Sequence, residues 1–264
     1  MRKVLIIART TFKENIRDKI LYNLLFFTLA IIGVSVALGQ VSIGHEQKII
    51  IDMSLSAISL FGTLIAIFIG TGLVYKELDK RTIYNLISKP VRRSEFILGK
   101  YLGLMSTLLV NLALMSAGAY LALCLLGKSV QSEFLYVLAA VYAIFLQLML
   151  VTAIALMFST FSTPVLSAVF TFALWVIGHF STEMKRLADI LRSAVTGHIC
   201  VALSYALPNF SNFTISGREN LLKSAAHFHA PQLTTLMLAT AYGFLYSALL
   251  LTLAVFIFQK RDFK

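Results

Sequence analysis

Six long apolar runs, about residues 20–39, 55–75, 101–126, 134–158, 163–181 and 233–258, contain no Asp, Glu, Lys or Arg. A helix needs about 20 mostly apolar residues to cross the hydrocarbon core of a bilayer. Each run is therefore read as a transmembrane helix, and an even number of crossings puts both termini on one side. The charged fraction of 13% agrees with that reading; soluble domains carry about 25%. The net charge of +11 does not imply nucleic acid, because the cations are confined to the gaps between apolar runs and form no basic surface on a soluble fold.

Orientation follows from the distribution of Lys and Arg. Sixteen of the 23 fall in the N-terminal segment, in the loop after the second run and at the C-terminus, and seven on the opposite side. The positive-inside bias makes the richer side cytoplasmic, with both termini inside. The basic stretch before the first run is too long for the leading region of a cleavable signal peptide. Residues 1–19 are instead expected to form a helix lying on the inner membrane surface. Leu5, Ala8, Phe12 and Ile16 share one face, and Arg9, Lys13 and Arg17 form a strip beside them that can reach lipid phosphates.

The long segment 182–232 is expected outside, as a helical or re-entrant insertion between the fifth and sixth spans. Met184, Leu187 and Leu191 form an amphipathic stripe there, and the apolar stretch after it is too short to cross. His198 with Cys200, and His227 with His229, are two apart in this segment. Soft-metal sites use such ligands, but paired His residues in loops are more often ordinary polar contacts, so no metal site is expected. Cys124 and Cys200 are too far apart in sequence for a disulfide framework.

The spans hold no fixed charge; their polar members, such as Asn111 and Gln147, are neutral. Ion-driven carriers use ionisable groups at membrane depth, and a membrane-embedded hydrolase needs an acid, a base or a metal there. Neither class fits. The tripeptide Gly127-Lys128-Ser129 is not a P-loop, because the required earlier glycine position holds Ala122, inside a span. The chain is thus not expected to be an enzyme or to bind a cofactor of its own. Vectorial work would draw on another chain.

The loop at 76–100 carries seven basic residues, Lys76, Lys80, Arg81, Lys89, Arg92, Arg93 and Lys100. Leu78, Thr82, Ile83, Leu86 and Ile87 recur at helical spacing over 76–88, and Pro90 ends that helix. Ser94 reads as the N-cap of the third span with Glu95 in its first turn. Gly99 and Gly103, four apart, would let that span approach a neighbour closely. A short rigid helix, a turn and a re-entry suit docking into a groove of a soluble partner.

The order Glu77, Thr82, Ile83, Ile87, Ser88, Lys89, Pro90, Val91, Arg93, Gly99, Lys100 resembles the cytoplasmic coupling segment of ABC-type export permeases of the type-2 class. Within that class it is most similar to the group linked to maturation of multicopper enzymes such as nitrous oxide reductase. The basic N-terminal helix, six spans and a long outer insertion containing Leu207-Pro208-Asn209 extend the resemblance over residues 1–264 as one permease domain. Arg81 stands where many members have Gly.

The resemblance implies an all-α polytopic protein of a bacterial inner membrane, paired with a second permease copy and with a separate ATPase subunit that holds ATP and Mg²⁺. It places Glu77 at the membrane–cytoplasm hinge, Thr82, Ile83 and Leu86 on the docking helix, Pro90 and Arg93 at the turn, and Gly99 and Lys100 at the start of the third span. The alternative expectation is a membrane scaffold for metalloenzyme maturation with no transport cycle of its own.

Overall fold

A computed structural model describes residues 2–41, 46–79, 92–125, 134–180, 208–213 and 233–260. The described residues form seven α-helices: α1 (Arg2–Ile16), α2 (Lys19–Val41), α3 (Glu46–Asp79), α4 (Arg93–Leu125), α5 (Phe134–Ser159), α6 (Pro164–His179) and α7 (Leu233–Lys260). A 3-10 turn, Phe210–Phe213, follows α6 in the chain.

Five of these helices, α2, α3, α4, α5 and α7, are long and apolar enough to cross a membrane. The fifth expected run forms α6, a helix of only 16 residues, which spans about 24 Å against a hydrocarbon thickness of about 30 Å. Pro164 sits in its first turn after an extended Thr163, where a missing N–H costs nothing and the fixed φ favours helix entry. The break before it is tight: Ser162 N–H donates to Phe158 O at 3.0 Å as α5 ends.

In contrast, α3 overshoots its expected boundaries. It runs unbroken for 34 residues through Asp79, about 51 Å. Residues 76–79 therefore continue the second span rather than open a separate helix, and residues 80–91 lie outside the described residues.

The core is built around α5. About two-thirds of its apolar window is buried, against less than a quarter of that of α2. From Leu146 to Leu156 every residue of α5 is buried, so this helix is apolar around its whole circumference, as an enclosed helix must be. α3, α6 and α7 pack directly on it, α4 lies beside α3 and α5, and α2 packs on α3 and α4. Gly70 of α3 meets Ala155 of α5: a Cβ on Gly70 would stand 3.0 Å from the Ala155 Cβ. Small residues let two backbones approach where no hydrophobic force separates helix from lipid.

The exposed side chains of α2, α6 and α7 include Phe26, Phe27, Val165, Val169, Leu238 and Leu245. Such a face suits acyl chains. The described part of the segment between α6 and α7 turns back into the bundle, where Phe210 and Phe213 are fully buried.

Candidate functional site

At one end of the bundle α1, the start of α4 and the C-terminus of α7 converge. Helix α4 starts at Arg93, one residue before the expected cap at Ser94, which therefore lies inside the first turn. Arg92 occupies the cap position, and Glu95 reaches back so that Arg92 N–H donates to its Oε2 at 3.0 Å. This is one half of a capping box, and it fixes how the chain enters α4.

Arg93 reaches across to α7. Its Nη1 donates to Phe258 O at 2.7 Å and to Gln259 O at 2.8 Å. Those carbonyls belong to the last turn of α7, where the helix lacks intrahelical donors and the helix dipole attracts a cation. The guanidinium also lies 5.8 Å from the centre of the Phe258 ring, and Phe96 stacks on the same ring with centroids 6.0 Å apart. One side chain thus joins residues 165 and 166 positions apart in sequence, at the point where segment 80–91 enters the bundle.

One turn further along α4, the glycine pair receives α1. A Cβ on Gly99 would stand 2.7 Å from Ile7 Cβ and 3.1 Å from Val4 O. One on Gly103 would stand 2.6 Å from Thr11 Cβ and 2.7 Å from Ala8 O. The close neighbour expected for these glycines is therefore the N-terminal helix.

Polar contacts extend the seam. Asn15 Nδ2 donates to Thr107 Oγ1 at 3.3 Å, and Lys100 Nζ lies 3.8 Å from Glu14 Oε2. Lys100 is buried at 3% exposure. A buried ammonium beside a carboxylate fixes register more than it adds stability.

The seam also gives α1 a protein-facing side that was not expected. Its inward face is Val4, Ile7, Ala8, Thr11 and Asn15, with Thr11 and Asn15 buried, rather than the Leu5-Ala8-Phe12-Ile16 stripe. Leu5 and Ile6 are exposed at 65% and 61%, and Phe12 and Ile16 only half-buried. The helix therefore turns a mixed face of apolar and small polar side chains to α4. Arg9, Lys13 and Arg17 are exposed. The polar seam escaped the sequence reading because helix-to-helix pairing over 92 positions leaves no mark in local periodicity.

Of the residues named for coupling, the structure brings Arg93, Gly99 and Lys100 together in this cluster. Glu77 lies in the last turn of α3. Thr82, Ile83, Leu86 and Pro90 lie outside the described residues, as do His198, Cys200, His227 and His229. Glu14, Asn15, Thr107 and Phe258 join the cluster without having been anticipated. Among the described residues no group of three or more His, Cys, Asp or Glu is placed to hold a metal ion.

Further along the bundle the buried polar groups are neutral, and several bond across helices. Gln147 of α5 donates from Nε2 to Ser59 Oγ at 3.3 Å and Thr63 Oγ1 at 3.2 Å on α3. Tyr101 OH of α4 donates to Met149 O of α5 at 3.2 Å. These bonds cross between spans at membrane depth, where backbone and side-chain polar groups find no water.

Among curated proteins none matches the chain significantly. A family model described as ABC-2 family transporter protein matches residues 5–263, a span that takes in α1, the glycine seam, the whole α3–α4 connection and the last turn of α7. With nearly its full length covered, the chain belongs to the ABC-2 family of transporter membrane proteins.

Proposed function

We propose that this chain is the permease subunit of an exporter energised by a separate ABC ATPase, and that segment 80–91 is the element the ATPase grips. The observation that carries this reading is the family match across residues 5–263, taken with the mounting of that segment between two long helices. It leaves α3 just past Glu77 and re-enters at Arg93, whose guanidinium is tied to α7. A displacement of a segment held between stiff rods is delivered to the rods, whereas a floppy connection absorbs it.

In this account ATP and Mg²⁺ reside on the partner, and this chain is not itself an enzyme. The basic end faces the cytoplasm of a bacterial inner membrane, with α1 at the lipid surface, and two permease copies pair with two ATPases. Thr82, Ile83 and Leu86 form the docking face, Pro90 stiffens the turn and Glu77 acts as the hinge. Membership of the multicopper-enzyme maturation group rests on the likeness of the 77–100 pattern, and it extends the proposal to force transmission as well as export.

The experiment is co-purification of the full chain with the ABC ATPase encoded nearest to it. The complex should form with the natural sequence and be lost with Thr82→Asp combined with Ile83→Asp. Glu77→Ala should leave complex formation intact while ATP hydrolysis no longer supports function. A complex indifferent to the 82–83 change would refute the docking assignment.

A further inference from the structure

The end of the bundle away from Arg93 holds a cavity of about 250 Å³, lined by Leu55 and Ser59 of α3, Gln147 of α5, Trp175 and His179 of α6, and Phe213 of the 3-10 turn. Phe213 packs on Tyr242 of α7, which is 16 positions before the Phe258 carbonyl that Arg93 holds; that separation along α7 is about 24 Å. The cavity is therefore remote from the coupling cluster. An apolar cavity of about 150 Å³ accepts benzene, so this one has room for a six-membered ring with a polar arm.

Its polar wall is specific. Gln147 is 98% buried, being 2% exposed. Thr63 spends its hydroxyl proton on Ser59 O at 2.8 Å, so it can only accept from Gln147. That fixes Nε2 toward α3 and leaves the amide oxygen as an acceptor. Trp175 stands on the same wall, although its Nε1 is closed off even to water.

His179 closes the same wall, with its ring 4.8 Å from that of Trp175 and stacked on Phe210 at 5.8 Å. Among the described residues no Asp, Glu, Lys or Arg lines the cavity, so these walls offer a charged guest no counter-ion.

We infer that this cavity is a binding site for one small uncharged molecule that combines a ring-sized apolar body with a hydrogen-bond donor for Gln147 Oε1, as a primary carboxamide does. The site stands apart from the ATPase-coupling proposal and needs no ATPase to be tested.

Trp175 is the single tryptophan of the chain, so its emission reports on the cavity directly. The full chain in lipid nanodiscs is titrated with benzamide and, separately, with toluene. Benzamide should change the emission saturably, and toluene, which lacks the amide, should bind at least tenfold more weakly. Gln147→Leu should bring benzamide down to the level of toluene. Ser56 is exposed at the cavity rim, so Ser56→Phe tolerates the added bulk and should weaken both ligands. A response that rises linearly with membrane partitioning, equal affinity for toluene, or a Ser56→Phe variant that binds as before would overturn the assignment.

Discussion

The two ends of this bundle are held together by different physics. At the α1 end the ties are long in sequence and directional: Arg93 to the α7 carbonyls, Asn15 to Thr107, Lys100 beside Glu14, and a glycine seam with no space for a side chain. At the other end the contacts are aromatic and neutral, from Trp175, His179, Phe210 and Tyr242, and they leave a cavity between α3, α5 and α6. Charge-assisted bonds and backbone contact define one geometry, whereas aromatic packing tolerates several. One end is thus fixed in a single geometry, and the other leaves open space among its side chains.

The sharpest way to break this contrast is at Gly103. A leucine there must displace α1 backbone, since Ala8 O already stands 2.7 Å from the Cβ position. Overpacking of this kind costs about 1–3 kcal/mol. Gly103→Leu should strip α1 of amide-exchange protection while leaving α5 and α6 protected. A uniform loss across the bundle would mean that the two ends are not separable.

A smaller effect is expected from Arg93→Ala, which removes two hydrogen bonds from a cation and should cost about 1–2 kcal/mol. Amide exchange should quicken at Phe258 to Lys260 and not at the N-terminal half of α7, and Arg93→Lys should restore part of the protection. Equal exchange in the natural sequence and the alanine variant would show that the tie carries no load.

The smallest change concerns Gln147→Leu. Interhelical hydrogen bonds within membranes average about 0.6 kcal/mol, so thermal unfolding should shift only slightly. A large destabilisation would mean that the neutral end is as rigidly specified as the other.

The spans were readable because apolar runs of 19 or more residues without charge have few other destinations than a bilayer. The position of the glycine pair was readable too, since its spacing marks a close approach without needing the partner's identity. What escaped was pairing. Lys100 looked like one more cation of a basic loop, yet it is buried beside Glu14. Ser94 carried the usual cap chemistry, but the Arg92–Glu95 bond moved the helix start back.

The face that α1 turns to α4 lies one residue, about 100° around the axis, from the apolar stripe read in the sequence. That stripe was assigned to the membrane surface, and periodicity alone carried no sign of a second, protein-facing side. Of the fifth apolar run, 163–181, α6 takes up only Pro164–His179; composition counts apolar residues and does not mark where the helix ends.

The most direct test of the central claim is a spin-label distance between Thr82 on the coupling segment and the exposed Val165 at the start of α6, measured in the assembled permease–ATPase complex with and without ATP. The account predicts an ATP-dependent change that vanishes without the ATPase and shrinks in Arg93→Ala. A distance that ignores ATP in the complex, or that shifts equally when the ATPase is absent, would contradict it.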